Sequence, residues 1–391
     1  MTDYINIDRR RILVGGLAAS LVGVAARAAT PSKIEVAEIL RRRVDVEKGA
    51  VGIAAAVVTH DGHRTVCHGR ERLGSDQRVS GETLFEIGSI TKIYTALLLA
   101  GLARNGVLAI DDPAAKHLPA DFILPERDGR AITLADLATH TAGLPRFPPI
   151  GRPFEEFASL GEFLKARNEA MKSYALADLK AWFRDFKLPR TPGSGWEYSN
   201  LGYTLLGLAL SYRTDFSYED LLKRQILNPL GLTGTRLSPP ATRLRHVAEA
   251  HDAKLNPVPP WDGGIFAPAG SLLSTVEDLA HFIRAVMPGS GSSLEPSARL
   301  LLQTLRPAPA AGGQQALGWE VLPANEGDYV SKDGVTPGQC ASAVFDPARR
   351  TGVVVLSNTY PQFRNTDTSP SGGGMGAADI ARHLLRPSIP L

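Results

Sequence analysis

The chain has 391 residues, 43% apolar and 21% charged, which is the balance of an ordinary globular protein and excludes a disordered one. That length suits one large domain or two lobes. The formal net charge is +3, and Arg9, Arg10, Arg11 and Arg27 against Asp3 and Asp8 put two of those charges in the first 28 residues; the near-neutral remainder excludes a basic surface for nucleic acid.

In chain order, "DRRRILVGGLAASLVGVAARAAT" comes first: an arginine cluster, a short apolar run over 12–26, and the small-x-small site Ala26-Arg27-Ala28. This is the pattern of a signal peptide, and the run is too short and too glycine-interrupted to span a membrane. Consecutive arginines before the run favour the twin-arginine route. The expectation is export to the periplasm with cleavage after Ala28, followed by one domain over 29–391. No later stretch reads as a transmembrane segment. Cys67 and Cys340 stand far apart, and the nine histidines show neither HExxH nor Cys/His pairing at metal spacing, so no metal or cofactor is expected. His246 and His251, five apart, read as solvated side chains.

"GAVGIAAAVVTHDGHRTVCHGRE" holds two β-rich runs around a turn, a hairpin. A helix runs from Ser89 to about Arg104 and is apolar nearly all round, the mark of a buried helix. "ITLADLATHTAGLPR" is a short helix with a Gly/Pro stop, and 146–190, rich in aromatics and charge, reads as an insertion covering something. Helices follow at about 201–212 and 217–228. "GQCASAVFDPARRTGVVVLSN" gives two strands joined at a turn, and a helix over about 376–386 closes the chain. The glycine- and serine-rich stretches 287–297 and 369–376 read as surface loops. With strands at both ends and helices between, the simplest packing is one sheet built from both termini around a helical insertion.

Ser89 and Lys92 lie three apart, so on a helix they share a face. A serine hydroxyl becomes a nucleophile when a base takes its proton, and a lysine whose ammonium is destabilised can serve. S-x-x-K alone is weak, occurs often by chance, and more often marks a helix-capping serine. Tyr198 and Asn200 in "GWEYSNLGY" add a proton relay and an amide that can hold the lysine and a carbonyl; a turn with a surface tyrosine is the alternative. Lys332, Asp333 and Gly334 in "VSKDGVTPGQC" add positive potential and close backbone approach beside a strand, or a plain turn. Three weak motifs in this order make one strong signal.

At this point the chain resembles the class C β-lactamases and their relatives, the D-alanyl-D-alanine carboxypeptidases and β-lactamase-like esterases. "FEIGSITK", "LATHTAGLP", "YSNLGYTLLG", "LNPLGLTGT", "AGSLLSTVEDLAHF", "LGWEV" and "GVVVLSN" carry the resemblance across nearly all of 34–386. It implies a mixed α/β fold: an antiparallel five-stranded sheet flanked by helices, an α/β lobe over about 34–115 and 270–391, and a helical lobe over about 116–269. It further implies Ser89 as the acylated nucleophile, Lys92 as its base partner, Tyr198 as proton relay, and Asn200 orienting Lys92 and the acyl amide. Lys332 would bias Tyr198 and meet a substrate carboxylate. The Ser89 and Val335 N–H groups would form the oxyanion hole, each such donor contributing roughly 3–4 kcal/mol. Gly334 would let substrate approach the strand, and Asn358 would lie near the carboxylate site. By the same resemblance Cys67 and Cys340 sit on strands separated by two others, too far apart to bond at about 4.8 Å per strand, so both thiols are free.

Asp333 departs from the family, whose third motif has threonine or serine there. Beside a substrate carboxylate it would cost about 4 kcal/mol at 4 Å and an effective dielectric near 20. The expected function is an exported serine hydrolase acting through an acyl-enzyme on D-alanyl peptides or β-lactams. A short-chain esterase is the second reading, and a penicillin-binding protein without turnover the third. No G-x-S-x-G occurs, which disfavours an α/β-hydrolase.

Overall fold

The computed structural model describes residues 30–303, 306–308, 312–360, 376–389 and 391. The expected leader and all of the 369–376 loop but Gly376 lie outside the described residues. Among those described, ten strands form: β1 (Gly52–Thr59), β2 (Gly62–Gly69), β3 (Phe85–Glu86), β4 (Leu273–Ser274), β5 (Arg306–Pro307), β6 (Gln314–Gln315), β7 (Glu320–Leu322), β8 (Tyr329–Val335), β9 (Cys340–Asp346) and β10 (Thr351–Ser357). Eight of them make one antiparallel sheet in the order β2-β1-β10-β9-β8-β7-β6-β5, so the first hairpin and the last pair meet in the middle. The sheet is thus built from both chain ends, as expected, but with eight strands and not five. The extra three, two or three residues each, are too short to leave an alternating pattern in the sequence.

The helices are α1 (Lys33–Arg41), α2 (Thr91–Arg104), α3 (Leu134–Ala138), α4 (Leu160–Ser173), α5 (Leu176–Asp185), α6 (Asn200–Thr214), α7 (Tyr218–Leu222), α8 (Asn228–Leu230), α9 (Ala267–Gly270), α10 (Val276–Val286), α11 (Glu295–Leu301) and α12 (Ala377–Leu385). The 287–297 stretch is therefore only partly loop, since α11 starts inside it.

Side chains on a strand alternate between faces, and here each face has its own cover. Ile53, Ala55, Val57, Val344, Val353 and Val355 pack against Val36 and Leu40 of α1 and Ile380, Ala381 and Leu384 of α12. The opposite set, Ala54, Ala56, Val58, Ala343, Phe345, Val354 and Leu356, joins the main core with α2, α6 and α10. Eleven of the fourteen α2 residues are buried, as a helix apolar on all sides requires. Cys67 on β2 and Cys340 on β9 are separated by β1 and β10, and both are free.

Candidate active site

The site forms where the start of α2 meets the start of α6 and the edge of β8. The short β3–β4 ribbon, pairing Phe85 with Ser274, delivers the chain into a turn at Gly88–Ile90. Gly88 has φ +49°, and a Cβ on it would stand 2.7 Å from the Val335 nitrogen. Gly334 answers from β8: a Cβ there would lie 2.0 Å from the Ile87 carbonyl oxygen and 3.1 Å from the Ser89 nitrogen. Both positions must be glycine for the backbones to approach, and that approach brings the Ser89 turn against the Val335 end of β8.

Ser89 caps nothing. α2 starts at Thr91, its cap residue is Ile90, and no side chain bonds there. The Ser89 Oγ is instead 2.5 Å from the Tyr198 hydroxyl and accepts from Lys92 Nζ at 3.0 Å. Lys92 is fully buried and donates also to Asn200 Oδ1 at 2.7 Å and to the Ala269 carbonyl at 2.5 Å. Burial, opposed by the Tyr198 hydroxyl and assisted by Lys332 and Arg146, brings the Lys92 ammonium down to about 8. For Tyr198 burial alone would push the phenol up; the charges of Lys92 and Lys332, with hydrogen bonds from Lys92 and Ser89, outweigh it and bring it down to about 8. Both groups are thus brought toward physiological pH, the range in which a general base works best.

The serine between Tyr198 and Asn200 explains their placement. Ser199 is the N-cap of α6, accepting from the Gly202 N–H at 2.9 Å and donating to the Pro145 carbonyl at 2.7 Å. Asn200 is then the first helical residue, and Tyr198 directly precedes the extended cap. Lys332 on β8 is 2% exposed, with Nζ 5.2 Å from the Tyr198 ring centroid and 3.4 Å from Glu320 Oε1. Burial tends to discharge it, but Tyr198, Glu320 and Asp333 more than compensate and raise it above its ordinary value.

Three expectations are corrected. Asp333 does not face the cleft. Strand alternation puts Lys332 and Gly334 on the site side, opposite Ala343 and Ala341, and turns Asp333 to the α12 side. There it accepts from Ser342 Oγ at 2.7 Å and from Arg382 at 2.5 Å. Asn358 is fully buried and committed to backbone: Oδ1 accepts from the Gly52 N–H at 2.7 Å, and Nδ2 donates to the carbonyls of Arg70 and Glu71 at 3.1 and 3.0 Å. No capacity is left for a substrate carboxylate. His251 is likewise buried and not solvated, with Nδ1 3.0 Å from the Asn358 carbonyl oxygen.

Other functional neighbours carry no sequence motif of their own. His140, inside "LATHTAGLP", has its ring 4.4 Å from that of Tyr198 and accepts from the Ser199 N–H through Nδ1 at 3.1 Å. Burial, with Lys332 and Lys92 adding to it, keeps it well below its usual value and neutral. Glu86, buried and raised by desolvation, accepts from Thr336 Oγ1 at 2.5 Å and from the Trp261 N–H at 2.7 Å, tying the chain after Val335 to the cleft wall. The cleft itself, about 340 Å³, is walled by Arg146, Phe147, Phe163, Leu164, Arg167, Trp261 and Phe266 beside Ser89 and Asn200. So 146–190 does cover something: α4 supplies one wall.

A family model described as Beta-lactamase matches residues 36–369. The chain belongs to the beta-lactamase family. It is 28% identical over 371 residues to the D-alanyl-D-alanine-carboxypeptidase/endopeptidase AmpH of Escherichia coli (strain K12), covering 89% of this chain and 91% of that relative. It is also 28% identical over 340 residues to a beta-lactamase of Pseudomonas fluorescens, covering 85% of each. Among solved structures, the Beta-lactamase/D-alanine Carboxypeptidase of Yersinia pestis complexed with citrate superimposes with a TM-score of 0.70 at 23% identity, over 89% of this chain and 96% of that one. A beta-lactamase family chain with this fold and these relatives is a serine hydrolase. Among the described residues, no helix is long and apolar enough to cross a membrane.

Proposed function

We propose that this beta-lactamase family member is an exported hydrolase that forms an acyl-enzyme on Ser89 and acts on D-alanyl peptides of the cell wall and on β-lactams. The observation that carries the reading is the Ser89 Oγ held between Tyr198 at 2.5 Å and Lys92 at 3.0 Å, with both partners brought to about 8. The deprotonated Tyr198–Lys92 pair takes the Ser89 proton as Oγ attacks the carbonyl carbon, and the oxyanion accepts from the Ser89 and Val335 N–H groups. Tyr198 passes the proton to the departing nitrogen, breaking the C–N bond and leaving an ester on Ser89. It then takes a proton from water, whose oxygen attacks the ester, and Ser89 leaves with that proton. Lys332 supplies the positive field that keeps the Tyr198 proton loosely held. The arginine-led leader pattern over 1–28 supports export.

With Asp333 turned to the other face, the electrostatic objection to carboxylate-bearing substrates falls away, and with it one argument for an esterase. The aromatic walls Phe147, Phe163, Trp261 and Phe266 keep that second reading alive, since they fit an apolar acyl group as well. An intact-mass time course with benzylpenicillin, run beside release of D-alanine from a D-alanyl-D-alanine peptide, tests the proposal. An adduct of one penicillin mapping to Ser89, together with D-alanine release, is expected. Absence of both, with hydrolysis of p-nitrophenyl butyrate, would establish the esterase instead.

A further inference from the structure

Arg146 and Arg167 both line the Ser89 cleft, and no Asp or Glu lines it with them. Among the described residues, neither guanidinium has a carboxylate within ion-pair distance. They are held by aromatic faces instead. Arg146 Cζ stands 5.6 Å from the Tyr198 ring centroid, and Arg167 Cζ stands 5.3 and 5.9 Å from those of Phe147 and Phe163. Phe147 packs in turn on Phe266, with centroids 5.4 Å apart, so the supporting surface is part of a packed cluster. Desolvation lowers Arg167, and the charge of Arg146 lowers it further, so the half-buried Arg167 has a second cation near it, while Arg146 stands exposed at the cleft mouth. Paired arginines elsewhere in this chain meet acids: Arg382 with Asp333, Arg386 with Asp346, Arg190 with Glu197. An uncompensated pair in a cleft is an arrangement that an anion completes, and the planar guanidinium fork fits a carboxylate best.

The location says which part of a substrate brings that anion. Asn200, which would hold the acyl amide, borders this cleft together with both arginines, whereas Lys332, which would meet a leaving-side carboxylate, does not; Arg146 also lies over the Tyr198 ring. We propose that Arg146 and Arg167 form an anion subsite for the acyl portion of the substrate, selecting D-alanyl peptides and β-lactams whose acyl group carries a carboxylate of its own. This rests on the reading of Ser89 as the acylated residue. It assigns a specificity beyond the reaction itself, because neither arginine takes or gives a proton in the acyl transfer, although the charge of Arg146 helps to lower Lys92.

The test compares carboxybenzylpenicillin with benzylpenicillin, which differ by one carboxylate on the acyl side chain. Calorimetric titration of Ser89→Ala avoids turnover. At low ionic strength the carboxylate-bearing ligand should bind about tenfold more tightly, as a partly solvated charge-assisted contact allows. The preference should shrink with added salt and vanish when Arg146→Gln and Arg167→Gln are added together. Equal affinities in Ser89→Ala, or none measurable, overturn the subsite. Intact-mass labelling of the unmutated chain by benzylpenicillin, run alongside, separates the two readings. A calorimetric preference without any adduct upholds the subsite and removes Ser89 from its role; an adduct without the preference removes the subsite alone.

Discussion

Replacing Asp333 by threonine would give the chain the residue that the family resemblance implies in the third motif, and the structure predicts a loss of stability with no gain in acylation. Asp333 holds Arg382 at 2.5 Å and Ser342 Oγ at 2.7 Å, and the two charged side chains are only 16% and 18% exposed. The Asp333 charge is the leading reason that the Arg382 guanidinium is raised above its ordinary value, outweighing burial. Threonine deletes that charge and leaves Arg382 facing the sheet unpaired. Breaking a fully buried pair costs about 3–5 kcal/mol; with partial exposure and a threonine that suits a strand, about 2–3 kcal/mol remains. At roughly 2.1 cal/mol/K per residue for the entropy of unfolding, a chain of this size should lose about 2.5–3.5 °C in Tm. Thermal unfolding by circular dichroism gives that number, and the second-order rate of acylation by benzylpenicillin, read by intact mass, should stay within about twofold. A tenfold faster acylation with an unchanged Tm would refute the reasoning, because it would place Asp333 in the cleft.

Acylation should rise with pH through a midpoint of about 8, since the pair must lose a proton before it can take one from Ser89, and both Lys92 and Tyr198 are brought to about 8. Lys332→Ala removes a positive charge that lowers both groups, so the stopped-flow pH profile of that variant should move to higher pH; a shift downward, or none, contradicts the assigned role. Asn358→Ala strands the Gly52 N–H and the Arg70 and Glu71 carbonyls. It should cost about 3 kcal/mol in urea unfolding while leaving KM for a D-alanyl peptide unchanged, and a raised KM at unchanged stability would restore it to the substrate site. Gly334→Ala forces a methyl to within 2.0 Å of the Ile87 carbonyl oxygen and parts β8 from the Ser89 turn. Loss of one oxyanion donor lowers kcat about 10²–10³-fold, and an alanine variant acylating at the parental rate would show that the two backbones need not touch.

The residue types that do the chemistry were legible because each motif is short in sequence and keeps its own spacing. Ser89 and Lys92 share a helical face whatever surrounds them, and Tyr198 and Asn200 flank a serine that caps α6 through its own local geometry. The strands β1, β2, β9 and β10 were legible for the same reason, as runs long enough to show β-rich composition and turn residues at their ends. What the sequence could not say is which way a side chain points once strands pair. "KDG" reads as three neighbours, yet the pleat sends Lys332 and Gly334 to one face and Asp333 to the other, and Arg382, far along the chain, meets it there. Asn358 looked like a ligand until Gly52, Arg70 and Glu71, distant in sequence, used every bond it has. The short strands β5 to β7 exist only because β8 offers an open edge. The state of Lys92 was equally hidden, since desolvation and the fields of Lys332 and Arg146 come from elements that meet only in the folded chain. Local periodicity fixes which residues can serve together; burial and facing, which set their charge and their target, are properties of the packing.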